Sequence, residues 1–130
     1  MTGLDTNIFV RFFTKDDPSQ GGRVKELLRT LTPELPGFVS LVSFIELVWV
    51  LRSQYQMGKA ELIQCMERLL NSAEIVVEHQ AAVSQALQRF STSKADFADC
   101  LIERLGHAAG CAETVTFDTG ASKFAGMRLL

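Results

Sequence analysis

Short apolar runs alternate along this chain with longer segments of helical period, and that alternation restricts the fold more than any other feature. Met1 to Asp5 reads as a strand and Thr6 to Phe13 as a helix or helical turn. Asp16-Asp17-Pro18 is a helix start, with a carboxylate cap and an early proline, and that helix runs to about Leu31. Pro33 and Pro36-Gly37 end it. Phe38-Val39-Ser40 is a second strand, followed by an apolar helix to about Tyr55. Beyond Gly58, Leu62, Ile63, Met66, Leu69 and Leu70 recur at helical spacing within Lys59 to Leu70. Glu74 to Glu78 is the clearest strand by β-branched content. Gln80 to Phe90 is an amphipathic helix with Val83, Ala86, Leu87 and Phe90 on one side, and Ser91 to Lys94 a polar loop. Asp96 to Ala109 is a helix closed by Gly110, Thr114 to Phe117 a strand, and Met127 to Leu130 a last edge strand. Such alternation implies a three-layer α/β/α sandwich with a mostly parallel central sheet. The 130 residues suit a single domain spanning 1–130.

Several function classes fall away on composition. The longest apolar stretch, Gly37 to Leu51, is too short to span a bilayer and carries Glu46. Asp5, Asn7 and Arg11 interrupt the apolar core that a signal peptide needs, so a cytoplasmic protein without membrane attachment is expected. Cys65, Cys100 and Cys111 form no close pair and are expected to be buried, reduced thiols. His79 and His107 have no zinc-ligand spacing with them.

Five acids sit where a globular domain gains least from them. Asp5 closes the first strand, Glu46 interrupts an apolar helix, Asp96 and Asp99 open a later helix, and Asp118 ends Thr114-Val115-Thr116-Phe117-Asp118. Taken singly, each has a bland explanation. Asp5 and Asp118 suit turns or caps, and Asp96 and Asp99 with Glu103 suit a solvated acidic stripe. Glu46 resists one: its helix neighbours are apolar nearly all round, and no Lys or Arg stands three or four residues away. Desolvating a carboxylate is costly unless a partner or a metal compensates it. One divalent site accounts for all five at once, since ligand sites in parallel α/β sheets form outside the carboxyl ends of the strands. Thr6, Asn7 and Thr116 can then orient the carboxylates by hydroxyl or amide hydrogen bonds. Setting the five aside leaves ten of the 15 acids against 13 Lys and Arg, a mildly basic remainder compatible with phosphates.

The ordered set of motifs resembles PIN-domain ribonucleases, in particular VapC-type toxins of bacterial toxin–antitoxin pairs. It consists of Gly3-Leu4-Asp5-Thr6-Asn7, Phe44 to Leu51 around Glu46, Ala95-Asp96-Phe97-Ala98-Asp99-Cys100-Leu101-Ile102, and Gly110-Cys111 leading to Thr116-Phe117-Asp118. The resemblance implies a parallel sheet flanked by helices and carries the family acids onto Asp5, Glu46, Asp99 and Asp118, with Asp96 matching an extra acid. It further implies Mg²⁺- or Mn²⁺-dependent RNA cleavage to 5′-phosphate and 3′-hydroxyl ends. The partners it implies are an RNA substrate, a second copy in a homodimer and a cognate VapB-type antitoxin, with DNA reached only through the antitoxin.

On that basis Asp5 and Asp99 are expected as direct metal ligands, with Glu46 and Asp118 bound directly or through water. A bound ion would lower the pKa of a water and offset charge developing at phosphorus. Clustered carboxylates would also hold protons near neutral pH. Phe44, Trp49 and Tyr55 are expected in the core rather than on a dimer surface, while Phe12 and Phe13 face either an antitoxin helix or the sheet. A phosphorylation-receiver domain is the competing enzyme-like fold, but Asp5-Thr6-Asn7 offers one acid where a receiver needs two, and Phe38-Val39-Ser40 offers no phospho-accepting aspartate. A non-catalytic interaction module of the same fold is the other alternative.

Overall fold

The computed structural model describes all 130 residues, Met1–Leu130. They divide into two compact units, Met1–Glu78 and His79–Leu130.

The first unit contains β1 (Thr2–Gly3), α1 (Thr6–Phe13), α2 (Pro18–Arg29), β2 (Gly37–Val39), α3 (Leu41–Ser53), α4 (Lys59–Leu70) and β3 (Ile75–Val77). The strands form one parallel sheet in the order β1-β2-β3, with Thr2 opposite Gly37 and Gly37 opposite Ile75. Side-chain caps start three of the four helices, α1, α2 and α3. Asp17 accepts from the Gln20 N–H at 3.0 Å with Pro18 behind it, and the Ser40 hydroxyl accepts from the Ser43 N–H at 3.2 Å. Phe44, Leu47, Leu51, Leu62 and Met66 are fully buried. Each contributes about 1.5–3 kcal/mol by leaving water.

Gly37 has a packing reason to lack a side chain. A Cβ there would come within 2.5 Å of Leu4 Cδ1 and 3.0 Å of Leu31 Cδ1. Leu4 is itself buried, and its N–H donates to the Phe38 carbonyl at 2.9 Å.

The second unit contains α5 (Gln80–Thr92), α6 (Phe97–Ala108), β4 (Val115–Thr116), α7 (Thr119–Phe124) and β5 (Arg128–Leu129). Helices α5 and α6 pack together, with Phe90 and Phe97 edge to face at 5.9 Å. Val83, Ala86, Leu87 and Phe90 are all buried, as the period predicts. Gly110, at φ +94°, ends α6: its N–H reaches the His107 carbonyl and that of Cys111 reaches Gly106. This pair of bonds is the Schellman arrangement, which needs a positive φ. Strands β4 and β5 pair in parallel, with Val115 opposite Arg128 and Thr116 opposite Leu129.

The α/β class with parallel strands holds, consistent with an α/β sandwich. Two local expectations are corrected, and one helix is unanticipated. Helix α5 runs through Ser91 and Thr92, whose hydroxyls bond back to the Gln88 carbonyl instead of freeing the chain into a loop. Helix α7, only six residues long, is too short to display a period. Cys111 is exposed, because it lies just past the α6 cap; Cys100 is buried and Cys65 half-buried. No helix is long and apolar enough to cross a membrane.

Candidate active site

In the first unit, parallel pairing sends β1 and β2 out of one edge of the sheet, so α1 and α3 both begin there. A hydrogen bond joins the two helices: the buried Thr6 hydroxyl donates to the Ser43 carbonyl at 3.3 Å. Asp5 precedes Thr6, and Glu46 follows Ser43 by one helical step, so two of the five acids flank this bond. Asp5 is exposed and caps α1, one carboxylate oxygen accepting from the Thr6 N–H at 2.7 Å. Thr6 thus orients Asp5 through its backbone, while its hydroxyl serves α3. Asn7 is exposed on α1.

Glu46 is exposed as well, which corrects the expectation that its apolar helix buries it. Helix α3 turns Phe44, Leu47, Val48 and Leu51 inward and Val42, Glu46, Trp49 and Ser53 outward. Two large apolar residues lie on the outer face, Val42 at 74% and Trp49 at 60% exposure. They disguise a solvent face as a core one, and they place Trp49 outside the core that holds Phe44.

An unanticipated acid stands at the same sheet edge. Glu78 follows β3, and its Oε1 accepts from the Leu41 N–H at 2.8 Å, where α3 begins. It satisfies an otherwise orphaned helix donor. Nothing in the sequence pairs residues 41 and 78; only the β2–β3 register does, with Val39 opposite Val77.

In the second unit the acids act on one another. Asp96 occupies the cap position of α6 but makes no capping hydrogen bond. Asp99, in the first turn, is half-buried, and its carboxyl pKa is raised above the ordinary range. Burial is the largest cause, followed by the negative charges of Asp96 and Asp118. No cation is among these influences. Asp118 caps α7, its Oδ1 accepting from the Ala121 N–H at 2.9 Å, and its own N–H donates to the Thr116 hydroxyl at 3.0 Å. Thr116 therefore steadies the backbone that carries Asp118.

Glu103 breaks the simple picture of a solvated acidic stripe on α6. Arg104 binds it through Nε at 2.5 Å and Nη2 at 2.7 Å, and Arg89 Nη1 lies 3.9 Å away. Its carboxyl is held below the usual range, chiefly by the Arg104 hydrogen bonds. One turn along the same helix, a neutralised carboxylate and an uncompensated one stand side by side.

Carboxylate oxygens are the donors that Mg²⁺ and Mn²⁺ take, and a carboxyl raised by like charges gains most from a cation. The donor chemistry of Asp96, Asp99 and Asp118 therefore fits a hard divalent ion. Within neither unit, however, do three His, Cys, Asp or Glu side chains stand grouped closely enough to hold one.

No curated protein matches the chain significantly. The PIN domain family matches residues 4–127, leaving only three residues outside the match at each end. That span takes in Asp5, Glu46, Asp96, Asp99 and Asp118 in order, and with it the chain belongs to the PIN domain family.

Proposed function

We propose that this protein is a metal-dependent endoribonuclease acting in the cytoplasm, the toxin of a VapBC-type toxin–antitoxin pair. PIN domains are generally nucleases and typically use divalent metal ions. The observation that carries the proposal is Asp99, half-buried in the first turn of α6, its carboxyl raised first by that burial and then by the charges of Asp96 and Asp118. Residues 1–130 would form a single domain, a reading supported by a family match over 4–127 that runs through both units.

Asp5, Asp99, Glu46 and Asp118 would hold Mg²⁺ or Mn²⁺, with Asp96 as a further acid of the catalytic set and Thr6, Asn7 and Thr116 supporting them. Such an ion, when bound, activates water and stabilises charge developing on a phosphoryl group. The chain's own contribution is positional. The caps made by Asp5 and Asp118 fix their backbones, and the partial burial of Asp99 reduces the water that screens it.

Two surfaces support the partner assignments. A groove of about 500 Å³ has a floor of Phe9, Phe12, Leu28, Leu31, Leu69 and Ile75, and Lys25, Arg29 and Arg68 line it against a single acid, Glu74. The Arg68 guanidinium lies 4.7 Å above the Phe12 ring. An amphipathic antitoxin segment with acidic flanks suits that lining. The exposed Val42–Trp49 face of α3 suits a second copy of the chain.

The test is RNA hydrolysis by the purified protein with Mn²⁺, with chelator, and as Asp99→Ala, alongside calorimetric Mn²⁺ binding. Cleavage and binding that both require Asp99 are expected. Folded protein that binds no Mn²⁺ and cleaves no RNA would leave a non-catalytic PIN-fold module. For the toxin role, growth arrest on expression should be relieved by Asp99→Ala and by a small gene product encoded just upstream.

A further inference from the structure

A second groove in the first unit lies between α1 and α2, with a volume of about 380 Å³. Its floor is aliphatic, made by Ile8, Val24 and Leu27, and its polar groups are Asn7, Arg11, Gln20 and Arg23. The two arginines differ. Arg11 is tied down: Nε donates to Gln20 Oε1 at 2.6 Å, and Nη1 lies 3.3 Å from both Asp16 Oδ1 and the Tyr55 hydroxyl. Arg23 is exposed and makes no hydrogen bond or ion pair. Asn7 and Arg11 lie one turn apart on α1, and Asn7 is two residues from Asp5.

We infer that this groove is a nucleotide subsite beside the scissile bond: Arg23 takes a backbone phosphate, the aliphatic floor takes the face of an unpaired base, and Asn7 meets the base edge. The inference rests on the nuclease assignment and extends it to a single-stranded substrate. A guanidinium with all its donors unspent matches a phosphate in two-point geometry. A carboxamide donates and accepts, as base edges do. The volume suits one nucleotide, at the small end of ligand sites, and is too small for a peptide helix. A chain bound here enters α1 next to Asp5, so binding energy is spent beside the acid. Gln20 and Asp16 hold the Arg11 head in place, which makes one wall of the groove rigid before substrate arrives.

The experiment measures fluorescence anisotropy of a labelled single-stranded RNA of about eight nucleotides. It is done in an Asp99→Asn background, which removes cleavage, with Mg²⁺ fixed and KCl varied. Arg23→Ala should weaken binding about tenfold and flatten the log–log salt slope by about 0.7, the value for one phosphate contact on a single strand. Arg23→Lys should restore the slope but only part of the affinity, because the charge returns without the fork. Asn7→Ala should change the order of affinities among oligo-A, oligo-U and oligo-C, whereas Arg23→Ala lowers all three alike.

An Arg23→Ala protein with unchanged affinity and slope overturns the inference, and so does one that loses binding only to an acidic peptide. The two proposals fail separately. Wild-type protein that cleaves RNA with Mn²⁺ but binds it independently of Arg23 keeps the nuclease and loses the subsite. Arg23-dependent binding with no cleavage under any metal keeps the subsite and loses the nuclease.

Discussion

Asp16 and Asp99 have the same side chain and opposite environments. Asp16 receives the Tyr55 hydroxyl at 2.6 Å, the Thr14 hydroxyl at 2.9 Å and the Arg11 guanidinium at 3.3 Å, and its pKa is lowered, mostly by the Tyr55 bond. Asp99 meets burial and two like charges, and its pKa is raised. The first carboxylate is a fastener, joining the loop after α1 to the residue just beyond α3. The second is a charge for which the fold supplies no answer. A structural carboxylate is recognised by its donors, and a ligand-seeking one by their absence from its surroundings.

The sharpest way to break this contrast is Asp99→Asn. With Mn²⁺ present, RNA cleavage should fall by more than the roughly 10–100-fold that loss of a residue merely supporting a metal ligand costs. In chelator the same variant should melt at an equal or higher temperature near neutral pH. A raised folded pKa means that the stability tied to this group is complete below the ordinary carboxylate range and is lost as pH rises through the folded value. The advantage of Asn over Asp99 should therefore disappear on acidification. Melting curves from about pH 3 to pH 8 check both statements, and a variant that melts lower than wild type throughout would make Asp99 another fastener.

A smaller effect is expected at Asp5, which combines both characters. Because it caps α1, Asp5→Ala should cost about 1 kcal/mol in denaturant unfolding, whereas Asp5→Asn keeps most of the cap. Both should lose cleavage. An Asp5→Asn protein as unstable as Asp5→Ala would show that charge rather than the cap bond holds that helix.

For Asp16 the pH dependence has the opposite sign. A depressed folded pKa gives stability that is present above the ordinary carboxylate range and lost as pH falls through the folded value. Asp16→Asn should thus destabilise the protein at neutral pH, with the penalty fading in acid and cleavage retained. The smallest change belongs to Tyr55→Phe, because the pair it serves is exposed and screened. A double-mutant cycle with Asp16→Asn should show the two losses overlapping rather than adding.

The sequence was most legible where one residue decides a boundary. Asp17-Pro18, Gly58 and Gly110 mark helix ends by local chemistry alone, and the observed ends of α2, α4 and α6 fall beside them. Val83 to Phe90 announced the buried face of α5 through their spacing. Legibility failed where a choice depends on distant chain. Glu46 has a helix apolar enough to seem buried, yet Val42 and Trp49 on its own face are exposed. Glu78 ends a strand unremarkably in the sequence, and its bond to Leu41 exists only because β2 and β3 are in register. Asp96 and Asp99 stand at the start of α6, where their positions in the sequence put them. What separated them from Glu103 was Arg104, an adjacent residue whose engagement depends on side-chain direction rather than spacing.

The bare backbone of Gly37 has a bearing on inheritance of activity. Leu4 fills the space that a methyl group at position 37 would take, and Leu4 is the last residue before Asp5. Adding one carbon to the middle strand would force the side chains of Leu4 and Leu31 to repack, because both tips stand where the new methyl would go. A search for sensitive positions confined to charged residues would therefore overlook this uncharged one, one residue of packing removed from Asp5.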